Sequence, residues 1–311
     1  MSNSSPCLNF RSFIDELRRR NDLVEIAQPV DANPEIGAIP RKVYEDRAPA
    51  PLFQSIRGVE PGFRVLGAPA GLNRQKGEEF GRLALHFGLP KSARPKEILE
   101  RIISASGSSP IAPQIVDSGP CKENIWRGNE VDLTRFLVPL LHAADGGRYF
   151  GIYGFHVVRS PDGSWDSGSV ARSMLHDKNT LVGPAMPQQH IGMIHGMWKS
   201  QGTPTPWAMV LGAPPAALAV AGMPLPERVS EGGYVGAMTG EAVEVVRTET
   251  NDLLVPANAE IILEGTISLS ERAMEGPIGE YHGYSFAVGR EQPLFHVEAV
   301  TFRHDPILLP K

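Results

Sequence analysis

The sequence predicts an α+β protein, with a helical N-terminal third and a β-rich remainder. Three observations point there. Apolar residues recur at helical spacing ahead of residue 106. A Gly-, Pro- and Ser-containing tract, SGSSPIAPQ (106–114), then interrupts the pattern. After it the apolar runs are short, rich in Val, Ile and Thr, and bounded by Gly and Pro. The tract sets a boundary between an α/β lead-in, residues 1–108, and a second unit, residues 115–311.

Each element follows from its own pattern. Phe10, Phe13, Ile14 and Leu17 make one apolar face of a helix over 10–20, and Arg18, Arg19 and Arg20 at its end suit the helix dipole. DLVEIAQPV (22–30) alternates as a strand. Pro34 opens a helix reaching about Asp46, since proline fits a first helical position. Residues 77–88 and 95–105 predict two further helices. Beyond the boundary, YFGIYGFHVV (149–158) reads as a strand, SPDGS (160–164) as a turn, and 168–175 as the strand pairing back. A helix is expected near 188–200, and strands at 207–212, 242–250, 260–269 and 294–303. Many short strands with few helices suggest a barrel or sandwich.

Composition excludes several function classes. Hydrophobic residues make up 41% of the 311 and charged residues 21%, with a net charge of −5, as in ordinary soluble globular chains. Lys and Arg are scattered, which argues against nucleic acid or an anionic membrane as partner. No apolar run is long enough to span a bilayer, and MSNSSPCLNFRSF lacks the layout of a secretory signal. Cys7 and Cys121 form no CxxC pair, so neither a disulfide framework nor a zinc-thiolate site is expected. A cytoplasmic location is the expectation.

Four segments could carry chemistry. In GSVARSMLHD (168–177), Arg172 sits among small residues on a predicted strand, either as an edge charge or as an anchor for a carboxylate or phosphate. In PQQHIGMIHGMW (187–198), His190 and His195 are five apart and share no helix face, which disfavours a zinc protease; one of them could still ligate a cation. AGMPLPERVSEGGYVGAMTG (221–240) reads as a long Gly/Pro turn whose backbone could approach a phosphate, with Glu231 before a Gly pair; it matches neither a P-loop nor a GxGxxG fingerprint. In MEGPIGEYHGY (274–284), Glu275 and Glu280 flank a Gly-Pro turn, with His282 and Tyr284 beyond; two carboxylates in different surroundings suit acid/base work.

The motifs SPDGSW, SVAR, MLHD, QQHI, PWAM, GAPPAA, EGGYVGAMTG, TNDLLVPANAEIILEGT and EGPIGEYHGY stand in this order, preceded by NDLVEI, APLF, VLGAP, GPCKEN and DLTRFLVPLLHAADGG. In this the chain resembles the UbiD-type decarboxylases, closest to the ferulic acid (phenylacrylic acid) branch, over almost its whole length. The resemblance implies a split β-barrel over 115–311 that binds prenylated FMN, with the family's C-terminal α/β dimerisation domain absent from this chain. It implies non-oxidative, reversible decarboxylation of an α,β-unsaturated, aromatic or heteroaromatic acid. Arg172 would hold the substrate carboxylate, Glu275 would orient Arg172, and Glu280 would deliver the proton. Ser167, Val170, Ala171, Arg172, Gln189, His190, Ala221, Gly222, Met223 and Glu231 would line the cofactor. His190, Glu231 and Ser167 would hold a divalent metal, usually Mn2+, and K+ would lie near Met223 and Glu231. The family usually has Asn, then an aromatic, at Ser167 and Gly168. Tyr281 and Met186 likewise depart from the ferulic branch where the acid binds. A flavin prenyltransferase would supply the cofactor, and the intact protein would be a homodimer. Two other readings are an FMN reductase-like barrel and a cofactor-binding piece without turnover.

Overall fold

The structure, a computed structural model, describes residues 5–33, 35–59, 61–136, 138–140, 142–150, 153–279 and 288–309. The lead-in runs α1 (Phe10–Arg19), β1 (Leu23–Ile26), β2 (Val30–Asp31), α2 (Glu35–Asp46), β3 (Ala50–Phe53), β4 (Ile56–Arg57), β5 (Arg64–Leu66), α3 (Gly81–His86) and α4 (Pro95–Ser106). The Asn9 side chain caps α1 by accepting from Ser12 N, and Phe10, Phe13, Ile14 and Leu17 are all buried as their spacing requires. The predicted strand at 22–30 is two strands, β1 and β2, that join different sheets. The helix expected over 77–88 is confined to α3.

The second region continues with β6 (Gln114–Ile115), β7 (Asn124–Arg127), β8 (Tyr149–Phe150), β9 (Gly154–Arg159), β10 (Asp166–Ser169), β11 (Ser173–Leu175) and β12 (Thr180–Val182). Then come α5 (His190–Ser200), β13 (Thr205–Leu211), α6 (Pro215–Ala221), α7 (Glu231–Thr239), β14 (Glu244–Arg247), β15 (Leu254–Pro256), β16 (Ile261–Glu275), β17 (Arg290–Phe302) and β18 (Ile307–Leu308). A nine-stranded sheet runs β10-β9-β13-β16-β17-β12-β11-β8, with β7 also on β17, and every pairing in it is antiparallel. β10 is the first strand of that order and β11 the last but one, beside β8, yet three residues join them. Those residues span about 14 Å at most, so the sheet must curl until its two ends nearly meet. Register shifts at Glu264/Gly265 and Ile267/Arg272 supply bends for the curl. Gly265 is needed at the first, because a Cβ there would lie 2.0 Å from the His296 carbonyl oxygen.

Both faces of the curled sheet are covered. Phe155, Val157, Ala208 and Val210 pack with α6 and α7 on one side, while Val158, Trp207 and Met209 pack with Ile191 and Ile194 of α5 on the other. Strands buried on both faces read as continuous apolar runs, which is why WAMVL was visible as a strand. β18 returns to the lead-in and completes its sheet in the order β1-β3-β5-β18.

Two expectations fail here for one reason. The region is not poor in helices, and 221–240 is not a long turn: α7 occupies 231–239. Its glycines misled the propensity argument, because tertiary packing requires them. A Cβ on Gly236 would lie 2.4 Å from the Ile111 carbonyl oxygen, and one on Gly232 2.7 Å from Pro113 Cγ. The linker at 111–113 lies directly on the helix. Among the described residues, no helix is long and apolar enough to cross a membrane. Both cysteines are free and buried.

Candidate functional site

Val170, Ala171 and Arg172 belong to no strand; they are the crossover between the two ends of the sheet. Arg172 was expected on a strand, but a chain that leaves one sheet end for the other must leave the ladder. The crossover is pinned from both sides. Val170 N donates to Ala221 O at 3.3 Å. On the other side, Trp207 Nε1 donates to His156 Nδ1 at 2.7 Å, and His156 Nε2 lies 3.0 Å from Ala171 O. An indole nitrogen only donates, so His156 carries its hydrogen on Nε2 and donates it to Ala171 O. Burial lowers the His156 pKa to about 4, so the ring is neutral at pH 7.

Arg172 meets Glu275, the last residue of β16, with both edges of a fork: Nε donates to Oε1 at 2.7 Å and Nη2 to Oε2 at 3.1 Å. Glu275 is 3% exposed, and the Arg172 side chain is 34% exposed. Tyr149 OH donates to Glu275 Oε1 at 3.0 Å. Burial, and then the charge of Glu275, raise the phenol pKa, so Tyr149 keeps its proton and remains a donor.

A second cluster forms where two helices begin. His190 is the first residue of α5 after its N-cap Gln189, and Glu231 is the first residue of α7 after its N-cap Ser230. Ser167 of β10 lies between them. Ser167 Oγ is 3.3 Å from His190 Nδ1 and donates to Glu231 Oε1 at 3.2 Å; His190 Nδ1 and Glu231 Oε1 are 3.4 Å apart. Gly168 N donates to Glu231 Oε2 at 2.9 Å, and Trp165 meets the His190 ring edge-to-face at 4.8 Å. Burial is the main cause that raises the Glu231 pKa.

Three donor atoms in a triangle of 3.2–3.4 Å have the spacing of neighbouring ligands around one small cation. Imidazole nitrogen with carboxylate and hydroxyl oxygens suits a borderline or hard divalent ion. No group of three His, Cys, Asp or Glu side chains able to hold a metal occurs among the described residues, so a cation held at this triangle would need the hydroxyl as its third ligand. Two helix N-termini add partial positive charge, which favours an anion beside that cation.

The residues expected to line a cofactor are partly assembled. Val170 meets Ala221 through the backbone bond above, and its Cγ2 lies 3.8 Å from where a Cβ of Gly222 would be. Ala171 is held by His156. Gln189 is exposed at the cap of α5, and Met223, half-buried, donates its N–H to Val220 O. A pocket of about 260 Å³ is walled by Ser167, Gly168, Ala221 and Glu231 together with Phe155 and Val157. Ser167 and Arg172 are five residues apart, so one short stretch carries a member of each cluster. His195 is not part of either: its Nδ1 lies 2.8 Å from Thr205 Oγ1. Glu280, Tyr281, His282 and Tyr284 lie outside the described residues.

Sequence reasoning missed Tyr149, His156 and Trp207. Tyr149 and His156 fall in the single strand expected over 149–158, which the structure divides into β8 and β9, and Trp207 falls in another; only strand pairing places them around the crossover. The motif DLTRFLVPLLHAADGG ends two residues before Tyr149, so its nearness is the one signal the sequence offers for that tyrosine.

Residues 114–310 match the profile described as the UbiD, 3-octaprenyl-4-hydroxybenzoate carboxy-lyase, Rift-related domain, and residues 14–102 match that of its N-terminal domain. The chain belongs to the UbiD family. Pyrrole-2-carboxylic acid decarboxylase of Pseudomonas aeruginosa is 65% identical over 301 residues, covering 97% of this chain and 61% of its own length. Ferulic acid decarboxylase 1 of Saccharomyces cerevisiae is 42% identical over 314 residues, covering 99% and 62%. This UbiD chain thus spans about three-fifths of the length of those relatives. Its fold matches an evolved dimeric form of HmfF from Pelotomaculum thermopropionicum, solved in complex with prFMN, with a TM-score of 0.87 at 27% identity, covering 97% of this chain and 67% of that one.

Proposed function

We propose that this chain carries the prenylated-FMN-binding and catalytic residues of a carboxy-lyase acting on a heteroaromatic or other unsaturated carboxylic acid. The observation that carries the reading is the Arg172–Glu275 fork held by Tyr149 at the meeting point of the sheet's two ends. A planar guanidinium fixed by a buried carboxylate is an oriented receptor for a substrate carboxylate. The relative at 65% identity is named for pyrrole-2-carboxylic acid, which makes that acid the first substrate to try.

In this reading Arg172 binds and orients the acid, and Glu275 holds the guanidinium in one plane while offsetting its charge. Tyr149 fixes Glu275 by donating to it. Glu280 delivers a proton to the carbon that loses CO2. The flavin, when bound, supplies the electron sink that makes the loss of CO2 feasible. His190, Glu231 and Ser167 would hold a divalent metal, with Mn2+ the first candidate. One carboxylate leaves such an ion net positive, which suits a cofactor phosphate lying at the two helix N-termini. K+ near Met223 would use the second lone pairs of backbone carbonyls there, since Val220 O and Ala221 O each already accept one N–H.

The test is native mass spectrometry of this chain co-expressed with a flavin prenyltransferase, followed by a CO2-release assay with pyrrole-2-carboxylate. A mass increment for cofactor plus metal, with turnover abolished by Glu280→Gln and by Arg172→Ala, is the expected result. Loaded protein that releases no CO2 from any such acid would favour a second reading, binding without turnover, which the partial coverage of the relatives makes a real alternative. Oxidation of NAD(P)H stimulated by plain FMN would overturn both.

A further inference from the structure

The segment 142–149, HAADGGRY, is left unexplained by the reading above except at Tyr149. Although it lies on a loop, the Asp145 side chain has 0% exposure. Its Oδ1 accepts from Gly279 N at 2.7 Å, and its Oδ2 accepts from His142 N at 3.0 Å. Next to it, Gly146 N donates to Pro277 O at 2.7 Å. Tyr149 OH reaches Glu275 from the same segment. Three bonds therefore fall on residues 275, 277 and 279, every second residue of the stretch that starts at Glu275 and leads to Glu280.

The approach is close enough to dictate residue type. A Cβ on Gly146 would lie 2.1 Å from the Gly276 carbonyl oxygen and 2.9 Å from Pro277 N. A Cβ on Gly279 would lie 2.6 Å from His142 Nδ1. The stretch 276–279 contains two glycines and no regular structure, so its order has to come from outside. A carboxylate accepting a backbone N–H makes a charge-assisted bond of fixed direction, and a buried carboxylate that lost it would stand with a polar atom unsatisfied.

We propose that Asp145 and Gly146 are positioning residues: together with Tyr149 they brace the 275–279 stretch and so set the placement of the Glu275 carboxylate. The proposal rests on the decarboxylase reading. A displacement of about 1 Å at a reacting group can cost on the order of a hundredfold in rate, so the brace acts on turnover without touching substrate.

The test compares the full chain with Asp145→Ala, Asp145→Asn and Gly146→Ala by thermal unfolding, by amide exchange across 276–279, and by turnover of the cofactor-loaded protein. In Asp145→Ala, exchange at Gly279 should accelerate at least tenfold, and kcat should fall at least tenfold while KM stays within about threefold. Asp145→Asn should restore part of both, because its amide oxygen can accept the same N–H. If Asp145→Ala does not fold, Asp145→Asn and Gly146→Ala carry the same comparison. Unchanged exchange overturns the brace, and so does accelerated exchange with unchanged kcat. A loaded wild type that turns over no acid sinks the functional reading instead. Exchange then decides the brace by itself, which stands if the stretch loosens and falls if it does not.

Discussion

Among the described residues, Glu275 accepts three hydrogen bonds through two oxygens, two from Arg172 and one from Tyr149. Removing the phenol hydroxyl leaves the ring's packing and takes away one donor to a buried carboxylate, a change of about 1–3 kcal/mol in that group's environment. Tyr149→Phe should therefore fold and lose about tenfold in kcat; an unchanged rate would remove Tyr149 from the site. Arg172→Lys should lose more, at least a hundredfold, because a point charge cannot reproduce the fork. Arg172 and Glu275 could be singled out from sequence because an Arg among small and apolar residues and a Glu beside a Gly-Pro turn are chemically conspicuous. Tyr149 could not, because a tyrosine in an apolar run is the ordinary content of a strand. At the same scale, Cys121 is fully buried and its thiol is pushed up to about 12. A thiol reagent at pH 8 should leave it unlabelled until the chain is unfolded.

The crossover between β10 and β11 is the element on which the site depends, and His156 is its main support. His156→Phe would keep most of the ring volume while leaving the Trp207 N–H and the Ala171 carbonyl without this partner inside the protein. At about 1–3 kcal/mol for each such group, a loss of roughly 2–6 kcal/mol is expected in urea unfolding. His156→Gln, which can still donate to Ala171 O, should recover part of it; equal losses would show that ring packing alone matters. The amphipathic helices were legible because their apolar faces repeat every 3–4 residues, as in α1. α7 was not, because its glycines serve contacts with residues 111–113 that lie more than a hundred positions away in sequence. The break at 170–172 was equally hidden: SVAR reads as strand, and only the curl of the whole sheet demands a crossover there.

For the molecule as a whole, two buried histidines make stability depend on pH. His86 and His156 are both fully covered, and burial lowers each pKa to about 4 from 6.5. The unfolded chain binds these protons near pH 6.5 and the folded chain only near pH 4. Stability is therefore constant above 6.5, falls as pH drops from 6.5 to 4, and levels below. Each histidine can contribute up to about 3 kcal/mol over that range. Glu231 and Glu264, raised by burial, act in the opposite sense, so the net fall is smaller than the sum. A loss of about 2 kcal/mol or more between pH 7 and pH 5 in urea unfolding is expected, and an unchanged midpoint would contradict the burial of these rings. The lead-in and the curled sheet share this stability through Glu260. It is wholly buried, accepts Arg11 Nε and Nη2 at 2.6 Å each, and accepts Ile307 N at 2.9 Å.

Taken by itself, the sequence determined the α+β class, the long helices and most of the strands, and it singled out Arg172, Glu275, His190 and Glu231 as candidates for chemistry. Those properties are local: periodicity, turn chemistry and residue type act within a few positions. The order of motifs was equally local in origin and pointed to the UbiD family. Tertiary structure alone decided that β10 stands at one end of a sheet and β11 next to its other end, that two helix N-termini meet at Ser167, and that HAADGGRY lies along the Glu275 stretch. Each of these depends on antiparallel pairings between segments far apart in the chain, and strand pairing is set by the packing of whole sheet faces, which no local pattern records.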